Sequence, residues 1–135
     1  MTLIYTLNPK HIKDLHQLYQ REWWTKDRTL QETTDVVEGS QINLGILNAQ
    51  GSLVAYARVL TDFTFKALVF DVIVADDHRG DGLGEKLMQA IKGHEKLARV
   101  KSFELYCLPE MFAFYERHGF STDVADIKLM RCLNA

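Results

Sequence analysis

One stretch of the chain carries residue types in an order that can do chemistry. It runs Asp71-Val72-Ile73-Val74-Ala75-Asp76-Asp77-His78-Arg79-Gly80-Asp81-Gly82-Leu83-Gly84: an apolar run, a polar loop, then glycines that open an amphipathic segment. Glycines permit close approach to the backbone, and the free N–H groups and positive dipole end of a helix attract an anion, so a phosphate group is the natural occupant. Tight packing of strand against helix is the other use of the same glycines. A Walker A loop is set aside because no Gly-Lys-Ser/Thr ending follows. A dinucleotide fingerprint is set aside because its three-glycine spacing is absent and the turn lies mid-chain.

Asp71 is the second candidate. A carboxylate inside an apolar strand is costly unless it is paired or used, so it reads either as a general base or as a structural group hydrogen-bonded to Arg58 or to backbone. Alternation along a strand places Asp71 on the face of Ile73, opposite Val72 and Val74. Glu104 and His118 are further candidates for a base, and water can serve.

These residues must be positioned by elements whose signals are strong. Leu3, Tyr5 and Leu7 alternate with polar residues and predict a strand over Thr2 to Leu7. Asn8 is a good N-cap and Pro9 suits a first helical position, and Ile12, Leu15, Leu18 and Tyr19 recur at helical spacing to about Glu22. Trp23 and Trp24 begin a polar loop. Leu30, Val36 and Val37 mark a second helix that Gly39 ends. Ile42 to Leu47 and Leu53 to Leu60, separated by Asn48-Ala49-Gln50-Gly51, form a hairpin pattern with the glycine placed for positive φ. Ala67 to Val74 reads as a central strand. The period then changes: Leu83, Leu87, Ala90, Ile91 and Leu97 or Ala98 share one helical stripe. Phe103 to Leu108 is a strand, Pro109 opens a helix with Phe112, Tyr115 and His118 on one face, and Gly119 stops it. Phe120 to Val124 and Ile127 to Leu133 close the chain as two short strands. The order β-α-α-β-β-β-α-β-α-β-β is a mixed α/β layer architecture.

Composition narrows the partners. The 135 residues are 47% hydrophobic and 25% charged, the profile of one soluble domain spanning 1–135 that can build a core without disulfides or a metal. The net charge of -2 comes with no basic block, so nucleic acid is not an expected partner. Cys107 and Cys132 have no zinc-like spacing and read as reduced core thiols; no metal is expected. No apolar run suits a signal peptide or a bilayer span, so a cytoplasmic protein without membrane attachment is expected.

Two motifs add a resemblance. Arg79-x-x-Gly82-x-Gly84 after an apolar strand resembles the acyl-CoA-binding motif of the GNAT (GCN5-related) N-acetyltransferases, and Ala113-Phe114-Tyr115-Glu116-Arg117-His118-Gly119-Phe120 resembles their later helix motif. They stand in the family's order and spacing, and the resemblance covers essentially the whole chain. It implies the GNAT fold: a mixed, mainly antiparallel central sheet flanked by helices. Trp23-Trp24, Arg28, Ser40 and Ala57-Arg58-Val59-Leu60-Thr61-Asp62 are also similar to a branch of small bacterial members.

The resemblance implies acetyl-CoA as acyl donor and direct attack of an amine on its thioester. The backbone of Val72, Ile73 and Val74 would pair with the pantetheine arm, as an added strand does at a sheet edge. The N–H groups of Gly80, Asp81, Gly82, Leu83, Gly84 and Glu85 would hold the pyrophosphate. Arg79 either adds a charge-assisted contact to phosphate or is a solvated loop arginine. Asp76, Asp77 and Asp81 would have to face solvent or cap the helix. An N–H near Val74 would steady the oxyanion. Tyr115 would protonate the departing thiolate; its other reading is a buried aromatic on a helix face. Trp23, Trp24, Arg28, Phe63 and Phe65 would flank the acceptor, with at least one indole buried. Leu108 stands where many members carry an asparagine, so one side-chain contact to the cofactor arm is lost. A small-molecule amine is the expected acceptor. A peptide acceptor, a non-catalytic acyl-CoA-binding or regulatory module, and assembly as a homodimer are left open.

Overall fold

Residues 1–134 are described by a computed structural model, and they divide into a larger unit, Met1–Leu105, and a smaller one that begins at Tyr106. The larger unit is a five-stranded sheet in the order β1-β2-β3-β4-β5, with three antiparallel pairings and one parallel, β4 with β5. The strands are β1 (Thr2–Ile4), β2 (Ile42–Leu47), β3 (Leu53–Thr61), β4 (Lys66–Val74) and β5 (Ser102–Glu104). The sheet is thus mixed and mainly antiparallel, as expected, although β3 rather than β4 is its middle strand.

The helices are α1 (Pro9–Gln20), α2 (Leu30–Gly39) and α3 (Leu83–Lys92), with α4 (Phe112–Glu116) in the second unit. Asn8 caps α1 reciprocally: its side chain accepts from the His11 N–H at 2.9 Å, and His11 Nδ1 accepts from the Asn8 N–H at 3.2 Å. Thr29 and Glu32 form the same box at the start of α2. Such local closure fixes where both helices start, and packing then fixes their angle. Leu15, Leu18 and Tyr19 of α1 and Val37 of α2 join Leu53, Tyr56 and Ile73 of the sheet in one buried cluster. On β3, Ala55, Ala57 and Val59 are fully buried and alternate with Tyr56 and Arg58, so both faces of this strand are covered. Leu83, Leu87, Met88 and Ile91 of α3 are buried where that helix meets β2, β3 and β4.

Several boundaries differ from the sequence expectation. β1 stops at Ile4 rather than Leu7, and α1 at Gln20. α3 ends at Lys92 because Gly93 caps it, so Leu97 is buried from a separate 3-10 turn rather than from the helical stripe. β5 is three residues long instead of reaching Leu108. In the second unit a 3-10 turn, Pro109–Met111, leads into α4, and Gly119 at φ 89° follows it. The two closing strands are not formed among the described residues. From Val124 onward their large apolar side chains are exposed, Met130 at 93% and Leu133 at 82%, and without a ladder partner an alternating pattern cannot hold a strand. Cys107 is half-buried and Cys132 exposed, so the expectation of two core thiols fails for Cys132.

Candidate active site

β4 separates from β5 early. The parallel pairing covers only Lys66–Leu68 against Ser102–Glu104, and past Leu68 no strand joins that edge of β4 among the described residues. The other edge stays on β3, where the Ala75 N–H donates to the Val54 carbonyl at 2.8 Å. In an antiparallel ladder, hydrogen-bonded pairs alternate with non-bonded ones. Ile73 opposite Tyr56 is therefore of the bonded kind, and Val74 opposite Ala55 turns its N–H and C=O to the free edge.

A bulge marks the start of that edge. Asp71 and Val72 together oppose Ala57, between the pairs Tyr56↔Ile73 and Arg58↔Phe70, and Asp71 takes φ 55°. Aspartate tolerates this left-handed conformation better than most side chains. Alternation survives: Val69, Asp71 and Ile73 are buried, while Phe70, Val72 and Val74 are half-buried.

The carboxylate of Asp71 is fully engaged. Arg28 Nη1 donates to Oδ2 at 2.7 Å and Nη2 to Oδ1 at 3.2 Å; Arg58 Nε donates to Oδ2 at 2.7 Å; the Tyr19 hydroxyl donates to Oδ2 at 2.9 Å. Burial by itself would raise the Asp71 carboxyl, but the Arg28 and Arg58 hydrogen bonds and charges outweigh it and hold the group below the usual carboxylate value. Burial first, then the Asp71 charge, raises the Tyr19 phenol, which remains a donor. Arg28 also stacks its guanidinium 4.6 Å from the Tyr19 ring centroid. The Arg58 pairing expected from sequence is present. Arg28, which the sequence suggested for the acceptor side, is also a partner of Asp71, and Tyr19 read only as a core residue.

Beyond Val74 a single 3-10 turn, Asp76–His78, leads to two left-handed glycines, Gly80 at φ 90° and Gly82 at φ 77°. A Cβ placed on either would meet nothing within 4 Å, so these glycines leave open space rather than packing the helix against the strand. Gly82, which has no side chain, is the N-cap of α3. Asp76 contacts Arg79 at 3.0 Å, and Asp81 lies 3.4 Å from His78 Nδ1. Arg79 is not merely solvated: its Nη2 is also 2.5 Å from Glu22 Oε1, two residues past the end of α1.

Between α1 and α2 lies an open cleft of about 240 Å³ lined by Trp23, Trp24, Thr25, Lys26, Asp27, Arg28 and Glu32. Both indoles are exposed, Trp23 at 70% and Trp24 at 41%, contrary to the expectation that one is buried. Thr25 anchors the turn, its hydroxyl donating to the Tyr19 carbonyl at 2.8 Å. Trp24 and Arg28 thus share one cleft. Phe63 is elsewhere, at the β3–β4 turn with φ 59° and 39% exposure, where Asp62 Oδ1 accepts from the backbone of Thr64, Phe65 and Lys66. Glu104 is ion-paired with Lys66, whose hydrogen bond lowers its carboxyl.

In the second unit Tyr115 is buried, its ring edge-on to Phe114 at 4.9 Å and to Phe120 at 6.0 Å. Burial, with a contribution from Cys107, pushes its phenol up to about 12, so it carries its proton at neutral pH.

Sequence reasoning missed Tyr19 and Glu22 as site residues. Tyr19 sits on the apolar stripe of α1 and nothing in the spacing separates it from Leu15 or Leu18. Glu22 is one acid among eighteen. A signal for each existed only in the need of Asp71 and Arg79 for partners.

Comparison with known proteins places this geometry. An acetyltransferase (GNAT) domain model matches residues 41–122. The uncharacterized N-acetyltransferase ycf52 of Porphyra purpurea is 30% identical over 94% of this chain and 75% of its own length. Serotonin N-acetyltransferase 2, chloroplastic, of Oryza sativa subsp. japonica is 34% identical over 62% of this chain and 42% of its own. A Xanthomonas campestris pv. campestris protein assigned to the GNAT family superposes with a TM-score of 0.83, at 27% identity, over 99% of this chain and 94% of that one. Glucosamine-6-phosphate N-acetyltransferase from Arabidopsis thaliana shares the fold, with a TM-score of 0.73 at 22% identity over 99% of this chain and all of its own. The strand that leaves its neighbour, the left-handed glycines and the matched profile converge, and the chain belongs to the GNAT family of acetyltransferases.

Proposed function

We propose that the protein transfers an acetyl group from acetyl-CoA to the amine of a small acceptor by direct attack on the thioester. The observation that carries this reading is the free edge of β4 running into the Gly80–Gly82 turn. A pantetheine arm pairs with the exposed backbone of Val72 to Val74, and the pyrophosphate rests against the N–H groups of Gly80 to Glu85. The open space at Gly80 and Gly82 supports that fit, since a side chain there would stand where the phosphates approach.

The neutral amine's lone pair attacks the thioester carbonyl, and the oxyanion accepts from the Val74 N–H, the donor that β3 leaves unused. The C–S bond then breaks, and Tyr115, in the role that the family's later helix motif implies for it, gives its phenolic proton to the thiolate. The amine's proton passes to water, and the phenolate takes a proton back from water. Asp71 is poorly suited to that task, because four hydrogen bonds from three side chains already occupy its carboxylate, and the two arginines depress its basicity. It acts instead as the anchor that holds Arg28, and with it the Trp24 side of the cleft, against β4. A 240 Å³ cleft with two exposed indoles suits a small amine borne on an apolar body. The likeness of Ala113 to Phe120, with Tyr115 in it, to the family's later helix motif supports turnover over a purely binding role.

Release of free thiol from acetyl-CoA, measured over a panel of arylalkylamines, polyamines, amino sugars and peptides, tests the reading. Acceptor-dependent release with a small amine is the expected result. Binding of acetyl-CoA without release for any acceptor points to the non-catalytic module.

A further inference from the structure

Behind the cleft between α1 and α2 three charged groups meet, and they do not balance. Asp71 brings one carboxylate; Arg28 and Arg58 bring a guanidinium each. Among the described residues neither arginine is ion-paired with a second acid. The remaining polar neighbours are neutral: Tyr19 and Tyr56, whose phenols burial keeps protonated, and Ser40, whose Oγ accepts from Arg58 Nη1 at 3.4 Å. Stacking of Arg28 on Tyr19 and of Arg58 on Phe70 eases the burial of both cations but supplies no negative charge. One positive charge is thus left over where the Asp71 and Arg58 side chains are only 4% and 12% exposed, and an uncompensated buried charge is costly.

Arg28 is the member of this group that lines the cleft, with its side chain 27% exposed. Two of its N–H donors go to Asp71, which leaves others for a ligand. The other charges of the lining answer one another. Lys26 and Asp27 are exposed neighbours of opposite sign, and Glu32 accepts from the Thr29 N–H at 2.9 Å, at the end of α2 whose dipole favours an acid.

We propose that Arg28 anchors a carboxylate of the acceptor, so that the acceptor is an amine bearing both an acid group and an apolar body, of which an aromatic amino acid is the simplest case. The inference rests on the reading of this cleft as the acceptor site and names the class of molecule that fills it. The incoming carboxylate supplies the negative charge that Asp71 alone does not. The exposed rings of Trp23 and Trp24 receive the apolar body. Asp71 adjoins Val72, so a carboxylate held on Arg28 brings the amine of the same molecule towards the donor strand.

The chain has 2 tryptophans, both in this cleft, so indole emission excited at 295 nm reports on it alone. The probes are 3-phenylpropionate and its amide, titrated into the wild type, Arg58→Gln and Arg58→Lys with and without coenzyme A. Calorimetry reads affinity and emission reads the place of binding. The wild type is expected to bind the carboxylate at least about tenfold more tightly than the amide, the scale of one charge-assisted contact. Arg58→Gln can still donate to Asp71 but removes the extra charge, and the preference is expected to vanish; Arg58→Lys is expected to keep it. Equal affinity of the wild type for the two probes overturns the proposal, and this comparison needs no variant. A preference that persists in folded Arg58→Gln also overturns it. Thiol release from acetyl-CoA is then compared for L-phenylalanine and phenethylamine, with the amino acid expected to give the higher kcat/KM. Carboxylate-selective binding in the cleft without release for any amine overturns instead the acetyl-transfer reading and leaves the anion site standing.

Discussion

Arg28 and Asp71, 43 residues apart in sequence, meet through two hydrogen bonds of 2.7 and 3.2 Å, and this pair joins the cleft between α1 and α2 to the bulge of β4. The bulge puts Asp71 at φ 55°, and the carboxylate it presents is shared with Arg58 at 2.7 Å. Two guanidinium groups on one buried carboxylate are tolerable because each also rests on an aromatic ring: Arg28 over Tyr19, Arg58 5.1 Å from the Phe70 ring centroid. Removing the carboxylate would strand two cations in a desolvated site.

Asp71→Asn is therefore expected to cost about 1 to 3 kcal/mol in urea unfolding at pH 7. It should leave the acidic limb of the pH–rate profile in place. Asparagine tolerates the left-handed backbone, so the loss reports on charge rather than strain. Because the folded carboxyl is held below its unfolded value, its contribution is complete above about pH 4 and fades as pH falls through the folded value. The gap between wild type and variant should shrink in that acid window. A variant of unchanged stability with a lost acidic limb would return Asp71 to the role of base.

Gly82 offers a separate test of the donor site. At φ 77°, with open space where a side chain would stand, Gly82→Asn should fold normally, since asparagine adopts this conformation at small cost. The side chain then obstructs the phosphate approach, and coenzyme A affinity should fall by at least about tenfold, the equivalent of one lost charge-assisted contact. Calorimetry on the folded variant checks this; unchanged affinity would move the pyrophosphate away from the turn.

The legibility of this chain follows the range of its interactions. Asn8-Pro9, Thr29-x-x-Glu32 and Asn48 to Gly51 are closed by neighbours within four residues, and each bounds an element whose kind the sequence predicts correctly. The glycine turn is legible for the same reason: positive φ is a property of the residue itself. Asp71 announces a need for a partner, and Arg58 on the adjoining strand satisfies it. Arg28 and Tyr19 arrive from α1 and its following turn, so no spacing in the sequence links them to β4. The Phe120–Val124 and Ile127–Leu133 patterns fail for the converse reason. Alternation states what a strand would bury, not whether a partner edge exists.

Tyr115→Phe should lower turnover by about a hundredfold, the scale of one general acid, with coenzyme A affinity nearly unchanged. The phenol is pushed up to about 12, above the usual value near 10, so the wild type keeps this proton throughout the neutral and mildly alkaline range. An alkaline limb near pH 9 must then come from another group and should survive in the variant. Wild-type turnover in Tyr115→Phe would leave the residue as packing between Phe114 and Phe120.

Arg28 separates the anchor from the acceptor cleft. In Arg28→Lys the charge remains, but an ammonium cannot span both carboxylate oxygens or stack flat on Tyr19. Arg58 and Tyr19 still donate to Asp71 Oδ2 at 2.7 and 2.9 Å, so the fold should hold, with a loss of about 1 kcal/mol for the bond from Arg28 Nη2 to Oδ1. The side of the cleft carrying Trp24 loses its two-pronged hold, and the acceptor should be bound less precisely. The expected kinetic signature is a raised KM for the amine at unchanged KM for acetyl-CoA, because the backbone of Val72 to Val74 is untouched. Initial-rate measurements with each substrate varied at saturation of the other decide the matter. A variant in which KM for acetyl-CoA rises while that of the amine stays fixed would show that the Arg28–Asp71 pair supports the donor strand instead of the acceptor cleft.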